Sequence, residues 1–189
     1  MTRLWSVMQA DHALVWGLLN QLTGGKGDPE GSPRERRRTA MRLVALESVH
    51  EVAEEVVVWP AVREHCRDGD QLVVEVLAQE RRAKRAVNEL THISPGTEEF
   101  MECVHTLAGL ARTHLSYEEH QIWPRLADAV RGADLDRTAE QWAVVRRAAP
   151  TRPHPHTPPD HRLLAAVGPL VGRVDRARDR LVGRQVPTP

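Results

Sequence analysis

The stretch HEVAEEVVVWP, residues 50–60, returns 64 residues later as HLSYEEHQIWP, residues 114–124. A histidine, a Glu-Glu pair four residues on and a Trp-Pro keep their register, while the letters between them drift. On an α-helix, residues four apart lie one turn apart on a shared face. Each copy therefore stacks an imidazole on a carboxylate: His50 with Glu54, and His114 with Glu118. The neighbours decide where those faces look. Leu43, Glu47, His50, Glu54, Val57 and Ala61 follow a 4-3-4-3-4 spacing. Leu107, Leu110, His114, Glu118 and Gln121 trace a second such row. Apolar rows turn inward, so they carry the polar pairs toward the core. A carboxylate there is costly unless it meets a cation, a proton or a metal ion.

A single His-x-x-x-Glu on a helix is ordinarily a surface ion pair or a satisfied core histidine. Two matched copies point to a shared site between facing helices. The remaining partners must come from the other helices. His12, preceded by Asp11, shares a stripe with Val15 and Leu19 and can face the core. The corresponding place on the third helix holds Glu80-Arg81. Three imidazoles and two carboxylates meeting in a helical core suit iron, manganese or zinc rather than calcium, and carboxylates can bridge two metal ions.

Further from the motif, the punctuation reads as helices throughout. Helix one is expected over about 4–22, ending at GGKGDPEG. Helix two opens at Ser32-Pro33-Arg34-Glu35, a capping box with proline in the first turn, and runs to Trp59 with a resumption toward Gly69. Helix three covers about 70–90. Helix four starts near Thr97, with Glu98 and Glu99 in a dipole-favourable first turn, and frays by Gly132. Long helices with short connections predict an all-α, up-down antiparallel four-helix bundle over 1–132. A short additional helix follows within 133–149. Residues 150–189 read as a Pro-rich extension, PTRPHPHTPPDH, leading to a basic amphipathic tail.

Composition narrows the function. The 189 residues carry 26 bases against 26 acids, which argues against nucleic acid as the main partner. No apolar run approaches the length of a membrane span, and MTRLWSVMQADHALVWG lacks a secretion h-region. Cys66 and Cys103 make no disulfide framework and read as packing residues, so a cytoplasmic setting is expected.

Taken together, DH at 11–12, the two H-x-x-x-E-E copies, the two Trp-Pro pairs and QERRAKRAVNEL at 79–90 resemble the hemerythrin-like HHE cation-binding domains. The tail is similar to actinobacterial members. The resemblance covers roughly residues 4–131. It implies a bundle around a non-haem di-iron centre that binds or reacts with O2 or hydrogen peroxide, in handling or sensing. By position, the implied metal ligands are His12, His50, Glu54, His114 and Glu118, with Glu54 and Glu118 as bridges. If the protein is an enzyme, it would be an oxidoreductase, catalase-like or an oxygenase. The alternatives are a di-iron oxidase acting on a small organic substrate, in a cavity near Trp5, Trp16 and Tyr117, and a degenerate bundle serving as an interaction module.

One position departs from the pattern. Where the family usually has a histidine, this chain has Arg81, which cannot ligate. Tyr117, Glu80 and Glu47 are the candidate substitutes. Each also has an ordinary role: Tyr117 in packing, Glu80 in an i,i+4 pair with Lys84, and Glu47 in a pair with an arginine. Arg81 is expected either to extend outward along its methylenes or to form a bidentate pair with Glu47. The acids Glu55 and Glu119, off the inner face, are expected at the surface or bonded to a ligating histidine.

Overall fold

The computed structural model describes residues 2–24, 31–152 and Asp175. The described residues form an all-helical bundle without strands. The tail expected over 150–189 lies outside them, apart from 150–152 and Asp175.

Helix α1 is Arg3–Thr23 and α2 is Pro33–Ala53. Thr2 caps the first with its hydroxyl, and Ser32 and Glu35 complete the expected capping box on the second. Gly24 ends α1 at φ 74°, a left-handed turn that glycine adopts without strain. α4 (Gly69–Leu90) follows α3 (Trp59–His65) so closely that a Cβ on Gly69 would collide with the Val62 carbonyl oxygen. α5 is Glu98–Tyr117, α6 is Trp123–Ala129 and α7 is Gly132–Ala148.

The two Trp-Pro copies neither end their helices nor simply kink them. Between α2 and α3 lies a π-helical turn at Glu54–Val58, and between α5 and α6 another at Glu118–Ile122. Proline has no N–H to donate, and its ring clashes with the carbonyl four residues back. The chain widens instead: Trp59 N–H reaches Glu54 O and Trp123 N–H reaches Glu118 O, five residues back. Both turns begin on the repeated glutamate, so the backbone is wider where those carboxylates enter the core.

α1 packs on α2, α5 and α7, and α4 packs on α5, α3 and α2. The apolar core falls into two parts. One holds Leu4, Met8, Val58, Trp59, Val76, Ile122 and Trp142. The other holds Val15, Leu19, Leu43, Leu46, Leu90, Phe100 and Leu107. On three long helices the break between them falls at polar residues, His12 on α1, His50 on α2 and Glu80 on α4, and on α5 it falls just after His114, beyond Leu115. A buried polar layer thus crosses the bundle. No described helix is long and apolar enough to cross a membrane.

Candidate metal centre

Five side chains converge in that layer. His12 is from α1 and His50 from α2, with Glu54 at the start of the first π turn. His114 is from α5, with Glu118 at the start of the second. All five are almost completely buried. His50 Nε2 lies 3.3 Å from Glu54 Oε1, and His114 Nε2 lies 3.8 Å from Glu54 Oε2. His12 Nε2 lies 3.2 Å from Glu118 Oε2, and His114 Nε2 lies 2.8 Å from Glu118 Oε1. Each carboxylate therefore touches imidazoles from two helices.

These atoms are close, yet they do not face one another as hydrogen-bond partners. Nε2 of His12, His50 and His114, and both oxygens of Glu54 and Glu118, are buried without a hydrogen-bond partner. Burying so many orphan polar atoms is expensive unless a cation collects them. Two overlapping groups bring ligand atoms within 4.8 Å of one another: His12, His50 and Glu118, and Glu54, His114 and Glu118. Both could hold a metal ion, and the imidazole-carboxylate donor set fits one.

Two of the three histidines have their far nitrogens fixed. His12 Nδ1 donates to Glu119 Oε1 at 2.7 Å, which fixes the ring with Nε2 toward Glu118. His50 Nδ1 lies 3.4 Å from Asp11 Oδ2. Asp11, fully buried, is itself held by Arg146 of α7, with Nε to Oδ2 and Nη2 to Oδ1 both at 2.7 Å. The walls are aromatic. Trp123 stacks on His12 at 5.1 Å and on Trp5 at 5.2 Å. Trp142 of α7 meets the His50 ring edge-on at 5.2 Å.

With no metal, protons supply the counter-charge. Burial opposes a charge on His50, but Glu54 and Asp11 outweigh it and push its pKa well above the imidazole range. Burial likewise opposes a charge on His114, and Glu118 and Glu54 raise its pKa. Burial would raise Glu118, but His114 and His12 hold it well below the usual carboxylate range.

The fourth helix contributes differently. Arg81 is exposed, and Glu80 takes the inward place, fully buried. Of the two expectations for Arg81, the outward one describes its position and the bidentate pair with Glu47 does not form. Glu47 Oε1 is buried without a partner, and burial raises its pKa. Glu80 does not join either ligand group among the described residues. Its Oε1 accepts a 2.6 Å bond from Trp59 Nε1, and its Oε2 lies 3.4 Å from Lys84 Nζ. Tyr117 is turned away too. Its hydroxyl donates to Glu75 at 2.9 Å, and burial with that acid pushes its pKa up to about 12.

Beside the centre, Lys84 gathers three buried acids. Its closest contact is Glu55; Glu80 follows, and Glu51 lies 3.7 Å away. Burial pushes Glu51 up to about 8 and Glu80 well above the carboxylate range, with Lys84 pulling the other way. Burial lowers Lys84, but Glu51, Glu80 and Glu55 together raise it. Sequence reasoning missed Glu51, Trp142 and Arg146. The 47-51-55 spacing on α2 was the available signal for Glu51. Nothing local marks Arg146, which pairs with a residue 135 positions away.

A family model described as the hemerythrin HHE cation binding domain matches residues 3–126. A curated relative, a DNA nickase from Nostoc sp., is 30% identical over 105 residues, 56% of this chain and 28% of the relative. The chain thus spans under a third of that relative's length. No solved structure gives a significant match.

Proposed function

Because the chain belongs to the hemerythrin HHE cation-binding domain family, we propose that the buried layer holds two iron ions and meets O2 or hydrogen peroxide there. The observation that carries this is the set of orphan ligand atoms: three imidazole nitrogens and four carboxylate oxygens, buried without hydrogen-bond partners. His12, His50 and Glu118 would hold one ion, and His114, Glu54 and Glu118 the other. Glu118, common to both groups, would be shared between the ions, and Glu54, which contacts imidazoles of α2 and α5, would be placed to reach both as well. Bound iron supplies reversible redox chemistry toward oxygen species. The chain's own part is to hold the ions, keep bulk water out and orient the imidazoles.

With Glu80 tied to Trp59 and Lys84, α4 offers no donor. Protein ligands are therefore few on the His114 side, which leaves room for a small oxygen species. The up-down order of the four long helical rods and a cytoplasmic setting, in which the buried free Cys66 and Cys103 stay reduced, belong to the same reading. DNA nicking stays with the Nostoc relative, because the match covers 28% of it and this chain balances 26 bases with 26 acids.

The test is metal per chain in protein purified without chelator, with the visible spectrum in air and after peroxide. Iron near two per chain and a spectrum that responds to peroxide are expected. His50→Ala or His114→Ala should cut metal well below wild type and lower Tm, since metal bound to the native state adds stability. Full metal and unchanged melting in both variants would overturn the site.

A further inference from the structure

α7 begins at Gly132, beyond the residues 3–126 that match the family, yet one of its faces reaches the centre. Leu135, Ala139 and Trp142 are buried at spacings of four and three residues, and Arg146 follows four residues later on the same stripe. The guanidinium side chain is only 14% exposed and grips a carboxylate that is fully buried. Its bidentate geometry fixes both oxygens of Asp11. Asp11 Oδ2, so fixed, is the partner of His50 Nδ1. Trp142, one turn earlier on α7, closes against the His50 ring. His50 is thus held from behind and from the side by one helix.

We infer that Arg146 is a positioning residue of the metal centre: through Asp11 it sets the orientation of His50 and so the affinity of the ion held by His12, His50 and Glu118. α7 is then a further helix of the centre, outside the residues 3–126 that match the family. The reason is geometric. An imidazole that can rotate about its Cβ–Cγ bond presents Nε2 to the ion only part of the time. A charged carboxylate on Nδ1 removes that freedom, and loss of such a partner costs about 10–100-fold in metal affinity. Without Arg146, Asp11 would be a buried carboxylate free to turn away from His50 or to draw in water.

The inference rests on the two-ion reading above, so the experiment separates the two. The full chain is stripped of metal and titrated with Co(II), whose visible bands report coordination. Arg146→Met keeps the stem and loses the fork. It should weaken one of two binding phases about 10–100-fold while leaving helicity and the other phase unchanged. Arg146→Lys, which restores a cation beside Asp11, should recover most of that loss. Arg147→Met, on the exposed face of the same helix, should bind as wild type does. Because Arg146 acts through Asp11, adding Arg146→Met to Asp11→Asn should cost little more than Asp11→Asn alone. In metal-free protein, the His50 Nδ1 proton should give a slowly exchanging NMR signal that is lost in Arg146→Met.

Affinity within twofold of wild type in Arg146→Met, additive losses in the double variant, or Arg146→Lys no better than Arg146→Met would overturn the inference. A wild-type chain that binds no Co(II) sinks the metal-site reading instead. In that case the NMR signal alone decides whether Arg146 holds Asp11 on His50.

Discussion

Replacing Lys84 by methionine tests what occupies the side of the layer where α4 gives no ligand. Lys84 is 18% exposed, and the side chains of Glu51, Glu55 and Glu80 around it are 4% or less exposed. Methionine fills the stem and deletes the charge. Removing one partner of a buried ion pair costs about 3–5 kcal/mol, because a carboxylate is left in the core without a counter-ion. A proton offers an escape. Protonating an ordinary glutamate costs 1.36 kcal/mol per unit of pH above its reference value near 4.3, which is about 2 kcal/mol at pH 6 and about 6 kcal/mol at pH 9. The variant takes the cheaper route at each pH. Its loss is therefore about 2 kcal/mol at pH 6 and reaches the 3–5 kcal/mol ceiling at pH 9. For a chain of this size each kcal/mol moves Tm by roughly 2–4 °C. The expected drops are about 4–8 °C at pH 6 and about 6–20 °C at pH 9.

The wild type sets the baseline. Glu51 has its folded pKa raised by burial to about 8, and Glu80 is raised too. A raised carboxylate pKa means that the folded state binds the proton more tightly. That contribution is complete below the ordinary carboxylate range and is lost as pH climbs through about 8. Metal-free wild type should thus lose some stability over this window, and Lys84→Met should lose more. The assay is thermal melting by circular dichroism on chelator-treated protein at pH 6 and 9. An equal Tm drop at both values, or a drop under about 2 °C at pH 9, would refute the assignment of Lys84 as the cation of that cluster.

Arg81→His should leave metal per chain and spectrum unchanged, since the side chain at 81 looks to solvent; a rise in metal content would mean that α4 can rotate its 81 position inward. Tyr117→Phe removes a hydroxyl bonded to Glu75 rather than to the centre. Its spectrum should match wild type and its Tm should fall by less than about 3 °C, checked by the same two measurements. A chain ended at Pro150 keeps every residue of the layer together with Trp142 and Arg146, so metal analysis should find it as loaded as the full chain.

Much of the centre was legible because it is written locally. A histidine and a glutamate four apart meet on one turn whatever the rest of the chain does, so His50–Glu54 and His114–Glu118 could be read from spacing. His12 needed only an apolar stripe. The π turns were hidden: Trp-Pro marks a disturbance, but whether the chain ends, kinks or widens depends on what packs around it. The inward residue of α4 was harder still. Glu80 and Arg81 are neighbours about 100° apart, and a rotation of the helix by that angle exchanges them. The rotation seen here is the one that pairs Glu80 with Trp59 and Lys84 and leaves the guanidinium in water. Arg146 was illegible for a different reason: it acts on Asp11 across 135 residues, and no periodicity on α1 announces a partner on α7.

The repeat and its breakdown explain the layer together. α2 and α5 carry the same letters and supply the same pair, but the helices that face them differ. α1 brings His12, an imidazole rather than a fixed cation, against the Glu118 carboxylate. α4 brings Glu80 with Lys84, an acid that arrives with its own cation. On the α1 side the counter-charge is exchangeable: protons on imidazole, or metal. On the α4 side it is a fixed ammonium, raised in pKa by the three acids around it and so charged throughout the physiological range. Lys84 paired with Glu55, beside Glu51 and Glu80 whose pKa values burial raises, keeps that flank near neutral without metal, while the orphan atoms of His12, His50, Glu54, His114 and Glu118 concentrate the demand for a cation at the other. The departure at Arg81 therefore reads less as a damaged ligand than as the outer face of a helix whose inner face carries Glu80, bonded to Trp59 and Lys84.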